Sequence, residues 1–290
     1  MKTGIIGILN NPATSINSHS SGMVNIVKNL FDADVLSEKD NWDNYDQLII
    51  YHGPNFKKGV FNIIGGINED VKNRCNKLIN YKGLIKSLDG FQFIDFINKR
   101  KLNYSYNNLF EEIELPGKNN IVIGDSHSIS AWFNKEYTIK RIDGKTLYGF
   151  LKLNYDLSNY DKKIIYFGNI DIRFHICRLN NPELELNLLI DKYLNYCYKY
   201  NCEIVNLLPI ESESRKIPGT GLYKGEKYFG SIQQRQELVY IFNNSINNSG
   251  LKTYKWPEKW YNNIDYYENN VMEPKQSVHI RPKYYQKNLI

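Results

Sequence analysis

Short runs of apolar residues alternate with longer amphipathic stretches along the whole chain. Such alternation is the pattern of an α/β protein whose parallel strands are covered by helices on both faces. In the first part, strands are predicted near 3–9, 33–36, 46–51 and 83–87. Helices are predicted near 21–31, with Met23, Ile26, Val27 and Leu30 on one face, and near 68–79, with Val71, Cys75 and Leu78 on another. A polar stretch rich in Asn and Lys then runs from Asn98 to Asn120 and contains the turn signal Pro116-Gly117. The boundary is placed there, giving an N-terminal domain over 1–116 and a second over 117–290.

The second part opens with Asn120-Ile121-Val122-Ile123-Gly124, a buried-strand pattern that ends at Asp125-Ser126-His127-Ser128. A helix carrying Ile129, Ala131, Trp132 and Phe133 is predicted to follow. The next strong strand, Lys163 to Phe167, ends at Gly168-Asn169-Ile170-Asp171. A long helix over about 182–200 starts at Pro182 and shows Leu186, Leu189, Ile190, Tyr193 and Leu194 as its apolar stripe. A strand at 203–208 and a helix at 231–248, opened by Ser231 as N-cap, complete the pattern. Both polar motifs therefore fall at carboxyl ends of strands, where open α/β sheets bind their ligands.

Composition changes this picture little. A chain of 290 residues, 42% hydrophobic and 23% charged, suits two ordinary globular domains. Asn, Ile, Lys and Tyr are abundant and Ala is scarce, as AT-rich coding produces, so the 23 tyrosines carry no functional message as a group. The net charge of +6 fits an anionic partner, nucleic acid included. Its positive residues are scattered, however, and the densest stretch, Lys99-Arg100-Lys101, is too short for a nucleic-acid arm, which favours a solvated surface. Cys75, Cys177, Cys197 and Cys202 form no Cys-x-x-Cys pair and no zinc spacing, so free thiols in a reducing compartment are expected. The first apolar run, Gly4 to Leu9, is shorter than a signal-peptide core, and no stretch reaches the roughly 20 apolar residues of a membrane span. The expectation is a soluble, cytoplasmic protein with no membrane partner.

Chemistry gathers around Ser126. A serine hydroxyl attacks only when a base takes its proton and amides receive the developing oxyanion. A strand-to-helix turn exposes the hydroxyl and aims helix N-terminal amides at the same space. The bland alternative is a serine that merely caps the helix.

Gly124-Asp125-Ser126-His127-Ser128 resembles the first sequence block of the SGNH (GDSL-like) esterases and acyltransferases, whose nucleophile lies in a Gly-Asp-Ser motif. Three further segments follow in the family's order. Asp143 to Gly149 resembles the second block, where a glycine amide serves the oxyanion hole, Gly144 and Gly149 both qualifying. Phe167-Gly168-Asn169-Ile170-Asp171-Ile172-Arg173 resembles the third. Gln276-Ser277-Val278-His279 matches the last, whose histidine is the base. The resemblance covers 117–290 and implies a three-layer, flavodoxin-like sheet domain. It also implies Ser126 as nucleophile, His279 as base, and the amides of Ser126 and Gly144 or Gly149 as oxyanion donors.

The departures are specific. Asn169 stands one position before the family's oxyanion asparagine, and Ile170 holds that place. The segment looks like a divergent Gly-x-Ile-Asp-x-Arg branch in which Asp171, Arg173 and His175 line the substrate pocket, together with Asp125 and Asn169. Asp171 and Arg173 also fit a structural ion pair. Gln276 stands where the family has aspartate; it, Glu273 or Asp265 would orient His279. His127 is expected to face away or pack, and His19 and His52 to be structural.

The implied activity is an acyl-enzyme esterase or acyltransferase acting on a polar sugar, glycan or nucleotide-derived substrate, with no cofactor. Two rival readings stand beside it, the second using the same residues. One is a transferase that modifies a glycan or nucleic acid, taking a nucleotide-sugar donor on the N-terminal domain and keeping the second as a degenerate binding module. The other is a metal-dependent phosphoesterase with Asp125, His127, Asp171, His175 and His279 as ligands. Ser18 to Met23, opening a helix after the first strand, weakly resembles a nucleotide-sugar-binding Rossmann-like unit. No Gly-x-Gly-x-x-Gly or Walker pattern is present, so that domain reads as a structural Rossmann-like unit.

Overall fold

The computed structural model describes residues 1–7, 28, 31–51, 77–78, 80–87, 119–131, 136–142, 144–213, 225, 228–273 and 278–285. The chain divides into two compact units, Met1–Ile113 and Glu114–Ile290. Each is an α/β unit on a wholly parallel sheet.

In the first unit, strands β1 (Thr3–Gly7), β2 (Asp34–Val35), β3 (Gln47–Tyr51) and β4 (Leu84–Ser87) lie in the order β2-β1-β3-β4. Ile5, Ile6, Leu48 and Ile49 are buried along the two central strands, as continuous apolar runs in a parallel sheet should be. Trp42 anchors the turn before β3, its indole N–H donating to the Ser37 carbonyl at 2.9 Å. Lys77 donates to the Glu38 and Asp40 carbonyls of the same segment. The predicted helices near 21–31 and 68–79 fall almost wholly outside the described residues, as do Ser18 to Met23, His52 and Cys75.

The second unit holds β5 (Asn120–Gly124), β6 (Tyr137–Arg141), β7 (Lys162–Tyr166), β8 (Glu203–Val205) and β9 (Thr253–Tyr254), in the order β6-β5-β7-β8-β9. Numbered within the unit, that order is 2-1-3-4-5. Its first strand lies between the second and third, so the chain departs from β5 and β7 toward opposite sides. This is the topological switch point, where a crevice opens at the carboxyl ends of the strands. Gly124 is in register with Arg141 on one side and Tyr166 on the other, so β5, β6 and β7 end level.

The longer helices described are α1 (Leu147–Leu153), α2 (Asn169–Phe174), α3 (Pro182–Tyr200), α4 (Ile232–Asn247) and α5 (Glu258–Asn262). α3 matches its predicted span because its end signals are local. Asn181 accepts from the Leu184 amide, Pro182 fills the first turn, and Asn201 closes the helix in the left-handed region at φ 52°. Leu186, Leu189, Ile190, Tyr193 and Cys197 bury one face. Ser231 caps α4 as expected, accepting from the Gln234 amide at 3.1 Å. β8 is shorter than the predicted strand. Beyond it, Asn243 takes both backbone groups of Leu207, accepting from its N–H at 2.7 Å and donating to its carbonyl at 3.1 Å. A side chain thus replaces the ladder there. β6 and α1 were not predicted. β6 is an edge strand whose Lys140 and Arg141 give it no apolar signature. Among the described residues no helix is long and apolar enough to cross a membrane.

Candidate active site

β5 delivers its last residue, Gly124, into a space with no room for a side chain. A Cβ there would collide with the Tyr166 carbonyl oxygen and lie 2.8 Å from the Ser128 Cβ. The close approach lets the following turn fold back tightly. The Ser128 amide donates to the Asp125 carbonyl at 3.0 Å and the Ser130 amide to the His127 carbonyl at 2.9 Å. A short 3-10 helix, Ser128–Ala131, follows where an α-helix was expected. Residues 132–135, with Trp132 and Phe133, lie outside the described residues. Ser126 sits half-buried at the tip of this turn.

The C-terminal segment reaches the same edge through a small antiparallel pairing. Met272 bridges Ile280; the Glu273 amide donates to the His279 carbonyl at 2.9 Å, and the Arg281 amide to the Val271 carbonyl at 2.8 Å. Val278 and Ile280 on either side of His279 are buried. The imidazole is therefore held by its neighbours' packing, and His279 Nε2 lies 2.9 Å from Ser126 Oγ. Residues facing one another across an antiparallel pair project on the same side. With Met272 opposite Ile280, Glu273 falls opposite His279, and Glu273 is only 4% exposed. Gln276 and Ser277 lie outside the described residues.

The second and third blocks are tied together by Asp171. From α2 it spans to the start of α1, accepting from the Leu147 amide at 2.6 Å and the Tyr148 amide at 3.2 Å. These are orphan donors of a helix N-terminus, so Asp171 caps a helix remote in sequence. Burial pushes its carboxyl up to about 7; the two amides pull the other way, and the nearby Asp125 adds to the rise. The Gly149 amide is already used, donating to the Thr146 hydroxyl at 2.9 Å. Of the two glycines expected for the oxyanion hole, Gly149 is thus engaged in capping. Gly144 is exposed in the loop after β6 at φ 70°, with open space around its Cα. Asp143 lies outside the described residues.

Arg173 takes a different place from the one its motif implies. Its side chain is 1% exposed and ion-paired with Glu211, Nε to Oε1 at 2.8 Å, with Nη2 donating to Oε2 at 2.9 Å. Tyr228 donates to Glu211 at 2.7 Å. Burial alone would raise the Glu211 carboxyl, but Arg173 and Tyr228 more than offset it and hold the group below its usual range. The guanidinium is committed inside the fold and offers no fork to a substrate. The ion pair is real, but its acid is Glu211 and not Asp171. His175 ends α2 half-buried, its pKa lowered by burial and by the nearby Arg178. Asn169 opens α2 fully buried, beside the buried Tyr166 hydroxyl.

His127 packs, one of the two placements its position allows, but it does so with polar partners at both ends of its ring. It is 2% exposed and turned into the site. Its Nδ1 lies 2.8 Å from Asp125 Oδ1, its amide donates to the same oxygen at 2.8 Å, and its Nε2 lies 3.2 Å from the Val278 carbonyl. The Asp-x-His spacing was the available signal. An aspartate that accepts the amide two residues on makes an Asx turn, and this curls the intervening residue outward while drawing the third one in.

No family model, curated protein or solved structure matches the chain. The site therefore has to be read from its own chemistry. Ser126 and His279 meet at hydrogen-bond distance, while Asp125 and His127 form a buried pair beside them, the two imidazole centroids 4.9 Å apart. The ligand set weighed for a metal is not assembled: Asp171 spends both oxygens on backbone amides, and no cluster of three His, Cys, Asp or Glu side chains suited to a metal ion occurs among the described residues.

Proposed function

We propose that the second unit is a serine-dependent esterase or acyltransferase. The observation that carries this is the 2.9 Å approach of His279 Nε2 to Ser126 Oγ at the switch point of a parallel sheet. The order 2-1-3-4-5 is that of flavodoxin-like sheets. It agrees with the SGNH resemblance of the four motif segments.

In this reading Ser126 Oγ attacks the carbonyl carbon of an ester, and its proton passes to His279 Nε2. The tetrahedral oxyanion is received by the Ser126 amide and by the Gly144 amide after β6. Collapse expels the leaving alkoxide, which takes the proton back from His279. The acyl group remains on Ser126 until a water or an acceptor hydroxyl, deprotonated in turn by His279, attacks it. Which acceptor enters decides between hydrolase and transferase. We assign the carboxylate that steadies the imidazolium to Glu273. It faces His279 across the C-terminal pairing, three positions before Gln276, the family's aspartate position. The substrate class we favour is a polar ester of a sugar, glycan or nucleotide derivative, as the resemblance of the four motif segments implies.

The test is labelling of the full chain with a fluorophosphonate, in which Ser126 Oγ displaces fluoride from phosphorus. Wild type is expected to be labelled at Ser126 and the Ser126→Ala variant not at all. Absence of labelling in a folded wild-type protein would overturn the assignment.

A further inference from the structure

We infer that His127 is a positioning residue that holds the base over the nucleophile; this rests on the serine-enzyme reading of the same site. The ring is buried between two oxygen atoms belonging to the two segments that must meet. On one side is Asp125 Oδ1 at 2.8 Å, in the turn that carries Ser126. On the other is the carbonyl of Val278 at 3.2 Å, in the peptide bond that leads into His279. The two segments lie 151 positions apart, and the ring spans them with one hydrogen bond at each end.

The direction of those bonds follows from chemistry. A carbonyl oxygen can only accept, so His127 Nε2 carries a hydrogen and donates it to Val278. Asp125 Oδ1, which also accepts the His127 amide, fixes the ring's other edge. The peptide plane before His279 is thereby held from the nucleophile side. The Glu273 amide holds the carbonyl after it from the opposite side at 2.9 Å. With the His127 ring itself packed 4.9 Å from the His279 ring at a tilt of 46°, the base has little freedom to swing away from Ser126. A general base must stay within hydrogen-bond reach, and a displacement of about 1 Å costs as much as ~100-fold in rate. The role rests chiefly on the end that donates to Val278, because that bond holds the peptide leading into the base.

Two near-isosteric variants separate the ends. In His127→Gln the amide nitrogen can occupy the place of Nε2 and keep the donor to Val278. In His127→Asn the amide reaches only the place of Nδ1, keeping Asp125 and losing Val278. Fluorophosphonate labelling rates of Ser126 across pH are expected to fall ~10-fold or more in His127→Asn, with a displaced pH midpoint, and to be largely restored in His127→Gln. Labelling of both variants at the wild-type rate, or equal loss in both, would overturn the role. Should His127→Asn not fold, 15N NMR of the wild-type imidazoles decides: a protected Nε2–H on His127 is expected, and an unprotonated Nε2 there refutes the bridge. A wild-type chain that is not labelled at all defeats the serine-enzyme reading itself, and this inference with it.

Discussion

Ser126 and His279 are separated by 153 positions in the chain, yet their Oγ and Nε2 atoms lie 2.9 Å apart. Each is carried by a short rigid device: a glycine-dependent turn at the end of β5, and a backbone pairing between Val271–Glu273 and His279–Arg281.

That meeting sets the first expectation. His279→Ala should fold normally but label with fluorophosphonate ~100-fold to 10,000-fold more slowly than wild type, the usual worth of a general base. Since His279 is half-exposed, circular dichroism should be unchanged. A His279→Ala protein labelled as fast as wild type would dissociate the imidazole from the chemistry.

Glu273→Gln removes a charge and keeps the shape. If Glu273 steadies the imidazolium, labelling should slow by roughly 100-fold or more while the thermal midpoint moves little, as for loss of the acid in a serine triad. An unchanged rate would direct attention to Gln276 instead.

Asp171 predicts a pH dependence of stability. Its folded pKa, about 7, stands above the ordinary 3.8, so the folded state retains a proton that the unfolded chain releases. Between about pH 4 and pH 7 its contribution therefore falls as pH rises, by on the order of a few kcal/mol, and is flat above. Denaturant unfolding of wild type and Asp171→Asn across that window should show the wild-type advantage shrinking with pH. Parallel curves would contradict it.

The Arg173–Glu211 pair predicts a strong asymmetry between single and double variants. Arg173→Met alone strands a buried carboxylate and should cost about 3–5 kcal/mol, whereas Arg173→Met combined with Glu211→Leu should recover most of that loss. Equal losses in the single and double variants, measured by denaturant unfolding, would show that the charge pairing is not what matters.

Elements with local signals were legible in the chain before any contact was known. β5 and β7 announce themselves as continuous apolar runs, and α3 and α4 by their caps and stripes. The sequence by itself could not name what depends on contacts between distant segments. Asp171 reads locally as a pocket acid, but tertiary structure makes it the cap of α1. Arg173 reads as an anion binder, but its partner Glu211 lies 38 positions away and consumes its fork. His127 reads as surface or packing, and only the return of the chain at Val278 gives its ring a second acceptor. The physical reason is the same in each case. Helix and strand periodicity record burial against water, which each residue experiences locally. Hydrogen-bond partnership of a buried polar group depends on which other segment the topology brings within about 3 Å.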